Sequence, residues 1–527
     1  MKRADILDTL THPKPFDLVV VGGGATGLGV ALDAALRGFS VALFESDDFA
    51  GGTSSRSTKL LHGGVRYLAQ GNVALVREAL AERTTVLNIA PHLAQPLPFV
   101  MPSYSWWQTP FYGIGLTLYD LMAGKAGLGR TEFLDRAKTL SALPGVRGDG
   151  LRGGVKYWDG QFDDARLALA LARSAEAAGA LILNHAKVDA IETLDGTDDA
   201  SRGFVVKVSD RFSGRLMHLK SRCVVNATGV WVDALRQQAA PPGQAPAPMV
   251  SPSQGVHVVV DRDFMPGDHA LLVPKTQDGR VLFAVPWLGK LILGTTDTPR
   301  QDLPREPDAF AEELRFIREE AGRVLSRPVR DEDIRSVWVG LRPLVAPPQG
   351  QGGATKVISR EHTIVVDANG LVTVTGGKWT TYRAMAEDVL ERCFAAGLLP
   401  RQGGHQTAGH RLVGAPVPAS AQVPLHAAPG LHLFGALASE VAACPGALDE
   451  LGMGLTEGMV RYAVRHEHAC TVEDVLARRW RALFLDARQA AALAPAVARI
   501  LAEEGAPDPD PAAFIALCAR YLPISGR

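Results

Sequence analysis

At 527 residues, 46% of them hydrophobic and 21% charged, the chain has material for several domains with buried cores, which excludes intrinsic disorder as its main state. Lys+Arg 55 against Asp+Glu 56 leaves a net charge of −1, so no global field draws nucleic acid and any anion site must be built locally. Five scattered cysteines, Cys223, Cys393, Cys444, Cys470 and Cys518, with no C-x-x-C pair, argue for a reducing compartment with no disulfide framework and no metal site.

The opening MKRADILDTLTHPKPFD sets Asp5 and Asp8 before any sustained apolar run and does not read as a signal peptide. The longest weakly polar stretch, Leu18 to Leu32, is shorter than the roughly 20 residues a spanning helix requires. A cytosolic protein that crosses no membrane is the expectation. FDLVVVGGG then reads as a buried strand ending in glycines, ATGLGVALDAALRG as a helix closed by Gly38, and FSVALFES as a second strand. This unit opens a doubly wound sheet, with Gly22, Gly24 and Gly27 in G-x-G-x-x-G register and Glu45 at the end of the second strand. Gly22 suits the tight turn, Gly24 the approach of a pyrophosphate, Gly27 the packing of helix on strand, and Glu45 the hydroxyls of a ribose. A dinucleotide is therefore expected. FAD is favoured over NAD because RCVVNATGVWVDAL (Arg222–Leu235) and GLVTVTGGKWTTYRAMAEDVL (Gly370–Leu390) also end apolar strands in small residues, and no second glycine fingerprint appears.

TSSRSTKLLHGGVRY (Thr53–Tyr67) places Arg56, Lys59, His62 and Arg66 among hydroxyls, and Gly63-Gly64 breaks any continuous helix. SYSWWQTPFYGIGLTLYDLM (Ser103–Met122) suits either a bilayer interface or a buried cap helix. Arg236–Gln254 is expected to be an exposed Pro/Ala/Gln connection. From Val256 to Thr296 four short strands with turn formers between them predict an antiparallel meander suited to a substrate lid. Beyond about residue 400 a Gly/Pro-rich linker leads to a helical domain. Cations beside glycines or strand ends also occur at Arg342, Arg360 and Lys378, and several converging on one spot would suit a carboxylate or phosphate substrate.

VVVGGGATGLGVALDAALRG, TSSRSTKLLHGGVRYL, WDGQFDDARL, VNATGVWVD, LILGTTDTP, GLRPL, SREHT, GGKWTTYR and YAVRHEHACTVEDVLARRWRALFLD together resemble, in order, the FAD-dependent, quinone-linked glycerol-3-phosphate dehydrogenases. The resemblance implies an α/β fold: a glutathione-reductase-like FAD-binding Rossmann domain, an antiparallel cap like that of glycine or D-amino-acid oxidase, and a C-terminal helical domain. The expected division is 1–90, 150–235 and 335–395 for FAD, 91–149 and 236–334 for the cap, and 396–527 for the helical domain. Arg66, Tyr67, Arg342, Arg360 and Lys378 would hold the substrate. Gly22, Gly24, Gly27, Glu45, Thr53, Ser54, Ser55, Lys59, Leu61, Val188, Ala227, Gly229, Gly377, Lys378, Thr380 and Thr381 would follow the FAD. His62 and His257 are the candidate bases, beside Arg342 and Lys378, because neutral imidazole is matched to proton abstraction near pH 7.

The implied reaction oxidises sn-glycerol 3-phosphate to dihydroxyacetone phosphate, with electrons passed through FAD to a quinone at the cytoplasmic membrane face, where the protein would be peripheral. No nucleic acid partner is expected, and the assembly stays open, a homodimer included. Alternatives are a glycerol-3-phosphate oxidase using oxygen, an FAD-dependent amino-acid or 2-hydroxy-acid oxidoreductase of the same fold, and a non-catalytic flavoprotein. Two departures stand out: Gln254-Gly255-Val256-His257 where the family pattern often reads K-G-S-H, and Trp379 where Leu is common after the pocket lysine.

Overall fold

The computed structural model describes residues 3–64, 72–195, 202–241, 243–346, 362–416 and 422–523. Arg66, Tyr67 and Arg360 lie outside the described residues.

The first strand, Phe16–Val21, sits at the centre of an eight-stranded sheet. Val41–Phe44 and Leu216–Asn226 flank it in parallel, and Leu181–Leu183 and Val372–Gly376 extend the parallel set on either side. His362–Val366 closes one edge antiparallel. The near-continuous apolar run of the first strand is what two covered faces demand. Leu18 and Val20 enter a core with the helices Ala25–Leu36, Asp164–Ala177 and Tyr382–Ala395, while Val19 and Val21 enter another with the hairpin Ala186–Asp195/Arg202–Asp210. The first half of Leu216–Asn226 pairs with that hairpin and its second half with Phe16–Val21.

A second, ten-stranded sheet stands apart. Ala270–Val273, Leu282–Trp287 and Lys290–Gly294 form the consecutive antiparallel strands expected from sequence. Ser253–Asp261 instead lies between Lys290–Gly294 and Ser336–Arg342, so the four expected strands are not a simple meander. Ala94–Ser103 joins Ala270–Val273 in parallel and pairs antiparallel with Gly153–Phe162. Gly153–Phe162 and Ser336–Arg342, placed with the FAD segments by the sequence reading, thus hydrogen-bond into the second sheet.

The expected exposed connection at Arg236–Gln254 is corrected in both its ends. Arg236 is buried in the helix Val232–Ala239 and pairs with Asp367, and Gln254 is fully buried in its strand. The helix Gln108–Ala123 buries Leu116 and Tyr119 on one side and leaves Phe111, Ile114 and Leu121 65–72% exposed on its other side, with Trp106, just before the helix, 78% exposed. The C-terminal domain packs the helices Glu457–His466, Ala487–Glu503 and Ala512–Arg520 around a large apolar core.

Candidate active site

A cavity of about 920 Å³ runs along the C-terminal ends of the parallel strands and opens toward the second sheet. The crevice outside strand ends is where open α/β sheets hold their ligands. At its start Gly22 turns with φ +111°, and an added Cβ would lie 2.6 Å from the Ala227 carbonyl. Gly27 does not line the cavity. Its added Cβ would stand 2.0 Å from the Gly22 carbonyl, which makes it the helix-on-strand contact. The first turn of Ala25–Leu36 is thereby aimed at the cavity with its N–H groups, a fitting cradle for a pyrophosphate.

Glu45 reaches back under the turn, accepting from Gly23 N at 2.7 Å and from Asp47 N at 2.9 Å. Burial raises its pKa, and the two backbone donors oppose that shift. Val188, Ala227, Gly229, Gly377 and Thr380 line the cavity with it, as do Thr53 and Ser54. Thr53 Oγ1 donates to the Leu341 carbonyl at 2.6 Å, and Ser54 Oγ accepts from Ala25 N at 3.0 Å. Ser55, Leu61 and Thr381 lie behind this wall and not on it.

Lys59 is placed elsewhere than the sequence reading put it. It is fully buried, its Nζ donating to Asp164 Oδ2 at 2.6 Å and to the Ser55 carbonyl at 2.7 Å, and it does not line the cavity. The rings of Trp287, Trp338 and Phe484 surround the ammonium, each centroid 5.3 Å away. Burial pulls its pKa down to about 7, with Asp164 opposing. The cause is local: Lys59 has φ +65°, which turns its side chain inward from the run that carries Thr53–Thr58. Arg56 does line the cavity, but it forms a forked pair with Glu306 at 2.6 and 2.7 Å.

His62, His257, Arg342 and Lys378 also line the cavity. Arg342 ends the strand Ser336–Arg342, and Asp297 orients its guanidinium at 2.9 Å with the Thr296 carbonyl at 3.0 Å. Gly255 provides the seat, since an added Cβ would come within 2.2 Å of Arg342 Nη2. His257 is 2% exposed, stacks on Trp338 at 5.2 Å, and shares a 2.9 Å hydrogen bond between Nε2 and Thr58 Oγ1. Its Nδ1 has no partner among the described residues. Burial, then Lys59 and Arg342, hold its pKa well below 6.5, so the ring is neutral.

The two sequence departures also find places. Gln254 turns from the cavity, donating to Glu313 at 2.6 Å and accepting from Arg300. Trp379 lines the cavity and donates from Nε1 to the Ser54 carbonyl at 2.8 Å, tying the two cofactor-side loops together. Sequence reasoning missed Thr58, which sat inside a quoted motif, and Arg478, which sat in another. Arg305 and Trp231 were missed as well, although Arg305 stacks on Trp231 at 4.4 Å on the cavity wall. His185, Cys470 and Asp474 bring potential ligand atoms within 4.8 Å of one another, but Arg478 pairs with Asp474 at 2.8 Å and Arg3 reaches Cys470 at 3.9 Å, so the cluster serves guanidinium groups.

A family model described as FAD dependent oxidoreductase matches residues 17–389, and one described as the C-terminal domain of alpha-glycerophosphate oxidase matches residues 405–510. Glycine cradle, strand-end cavity and family match define an FAD-dependent oxidoreductase, with FAD as its cofactor. A probable mitochondrial glycerol-3-phosphate dehydrogenase of Caenorhabditis elegans is 40% identical over 95% of this chain and 72% of that protein. The solved structure of glycerol-3-phosphate dehydrogenase from Bacillus halodurans, complexed with FAD, superposes with a TM-score of 0.75 at 28% identity, covering 98% of this chain and 97% of that one. The chain belongs to the family of FAD-dependent glycerol-3-phosphate dehydrogenases. The FAD-bound L-alpha-glycerophosphate oxidase of Mycoplasma pneumoniae shares the fold, with a TM-score of 0.56 at 17% identity over 75% of this chain and 97% of that one.

Proposed function

We propose that this protein oxidises sn-glycerol 3-phosphate to dihydroxyacetone phosphate and passes the electrons to a quinone. The observation that carries the reading is that two cations, Arg342 and Lys378, and two imidazoles, His62 and His257, line one dinucleotide cavity. Bound FAD supplies the hydride acceptor. Arg342 and Lys378, joined by Arg66, Tyr67 and Arg360, hold the substrate phosphate by charge-assisted hydrogen bonds. His62 takes the C2 hydroxyl proton. His257, kept neutral by burial with Lys59 and Arg342 adding to it, is the poorer base and orients the hydroxyl through its hydrogen-bonding edge.

Anaerobic addition of sn-glycerol 3-phosphate to the FAD-loaded protein tests the substrate: bleaching of the flavin is expected, and its absence refutes the reading. Admitting a quinone or oxygen afterwards identifies the acceptor. Oxygen is the second reading, favoured by the C-terminal match to the alpha-glycerophosphate oxidase domain. His62→Ala with normal reduction would remove His62 from the reaction.

For a quinone dissolved in lipid, the protein would work as a peripheral protein on the cytoplasmic face of a membrane. The exposed Phe111, Ile114 and Leu121 on one face of the helix, with exposed Trp106 just before it, support this, since aromatic and aliphatic side chains so placed suit a bilayer interface. Among the described residues no helix is long and apolar enough to cross a membrane.

A further inference from the structure

The run Arg478-Arg479-Trp480-Arg481 of the C-terminal domain has no part in the reaction proposed above, yet all three guanidinium groups are buried and reach into the FAD domain. Arg478 and Arg479 both pair with Asp48. Arg481 donates through Nη2 to the Ser55 carbonyl at 2.7 Å and to Asp164 Oδ1 at 3.2 Å, while its Nη1 holds the Ala477 carbonyl at 2.7 Å. A π-helical turn over Asp474–Arg479, followed by a left-handed Arg481 at φ +66°, sends these side chains toward the cofactor loops.

The acceptors are not scattered. Asp48 belongs to the turn after Glu45 and also accepts from Asn184 at 2.9 Å. Asp164 Oδ2 gathers Ser57 N at 3.1 Å, Ser57 Oγ at 2.7 Å and Lys59 Nζ at 2.6 Å. Residues 45–48 and 51–58 are the two segments that carry Glu45, Thr53, Ser54 and Thr58 along one wall of the cavity. Arg479 and Arg481 do not line it themselves.

We propose that Arg479 and Arg481 are positioning residues for FAD: through Asp48, Ser55 and Asp164 they fix the two loops that cradle the cofactor, so that FAD binding and docking of the C-terminal domain are coupled. Such coupling is reciprocal, each event strengthening the other by the same factor. The inference depends on the FAD assignment and not on the substrate, because its test contains no substrate.

Full-length protein stripped of FAD is titrated with FAD by flavin fluorescence, as wild type, Arg479→Gln, Arg481→Gln and Tyr462→Phe. The last breaks a contact at the same domain junction, Arg173 to Tyr462 Oη at 3.1 Å, away from the cofactor loops. Weakening of FAD binding by roughly 5- to 150-fold is expected in the arginine variants alone, with a smaller rise in Tm on adding FAD. Arginine variants that melt earlier but bind FAD within twofold of wild type would overturn the proposal and leave these residues as adhesive between domains. If the variants do not fold, hydrogen exchange on the wild type decides: FAD must slow exchange over residues 474–485, and unchanged exchange there overturns the coupling.

Discussion

Gly255→Ala separates the proposed substrate role of Arg342 from its structural surroundings. Gly255 has no positive φ, so alanine fits the backbone, but the new Cβ would stand 2.2 Å from Arg342 Nη2, 2.7 Å from Cζ and 2.7 Å from Thr295 Oγ1. Backbone pairing of Ser253–Asp261 with Ser336–Arg342 leaves the strands fixed, so the guanidinium at the end of a flexible chain gives way. Stability changes little: an alanine in place of glycine recovers about 0.4–1 kcal/mol of unfolded-state entropy, set against a weakened contact to Asp297. Function pays instead. A charge-assisted hydrogen bond is worth about 1.5–3 kcal/mol, so moving Arg342 off the substrate phosphate lowers kcat/KM for sn-glycerol 3-phosphate by roughly 10- to 150-fold. The assay is steady-state turnover with a soluble acceptor, with FAD content and Tm measured on the same preparations. A variant with full FAD, unchanged Tm and kcat/KM within twofold of wild type would refute the placement of Arg342 on the phosphate.

Three further outcomes are expected. His92, pulled down to about 3 by burial with Arg166 and Arg411 adding to the shift, stays neutral in the folded protein and takes a proton near 6.5 when unfolded. Its contribution is therefore fully present above pH 6.5 and lost as pH falls toward 3, so in denaturant titrations wild type loses about 1.4 kcal/mol per pH unit relative to His92→Gln; parallel pH curves would disprove the assignment. Lys59→Met leaves Asp164 to Arg481 and Ser57 and lowers stability by about 3 kcal/mol, while KM per bound flavin stays within twofold. A tenfold rise in KM would instead put Lys59 in contact with ligand. Replacing Trp106, Phe111, Ile114 and Leu121 together with Ser removes side chains worth about 1.5–3 kcal/mol each when fully buried, so sedimentation with lipid vesicles falls by well over tenfold while turnover with a soluble acceptor is retained; undiminished sedimentation would remove this face from membrane contact.

The cofactor half of the fold was legible because its signals are local. An apolar strand, glycines at fixed offsets and an amphipathic helix follow one another within residues 16–45 and suffice for the cradle. The second sheet was less so, because Ala94–Ser103 and Ser253–Asp261, which pair along the length of Gly153–Phe162 and Ser336–Arg342, lie far away in the chain, and neither of the latter strands states which sheet it will join. Lys59 was misread for the same reason. Its neighbours in sequence face the cavity, but its partners Asp164, Trp287, Trp338 and Phe484 come from four other places, and only a positive φ shows that the side chain leaves the row.

The inward turn of Lys59 changes the balance of the cations. Arg56 and Lys59 meet Glu306 and Asp164, so their positive charge is already matched inside the protein. The carboxylate on Arg342 acts differently, because the Arg342 side chain stays 25% exposed on the cavity wall, against 6% for Arg56 and 0% for Lys59. Asp297 holds Nη1 and the Thr296 carbonyl holds Nη2, which fixes the plane of the guanidinium before any anion arrives. In the proposed reaction such a group loses little rotamer freedom on meeting a phosphate. Under that proposal, selectivity for a phosphorylated alcohol rests on local cations such as the pre-oriented Arg342, consistent with a chain whose net charge is near zero.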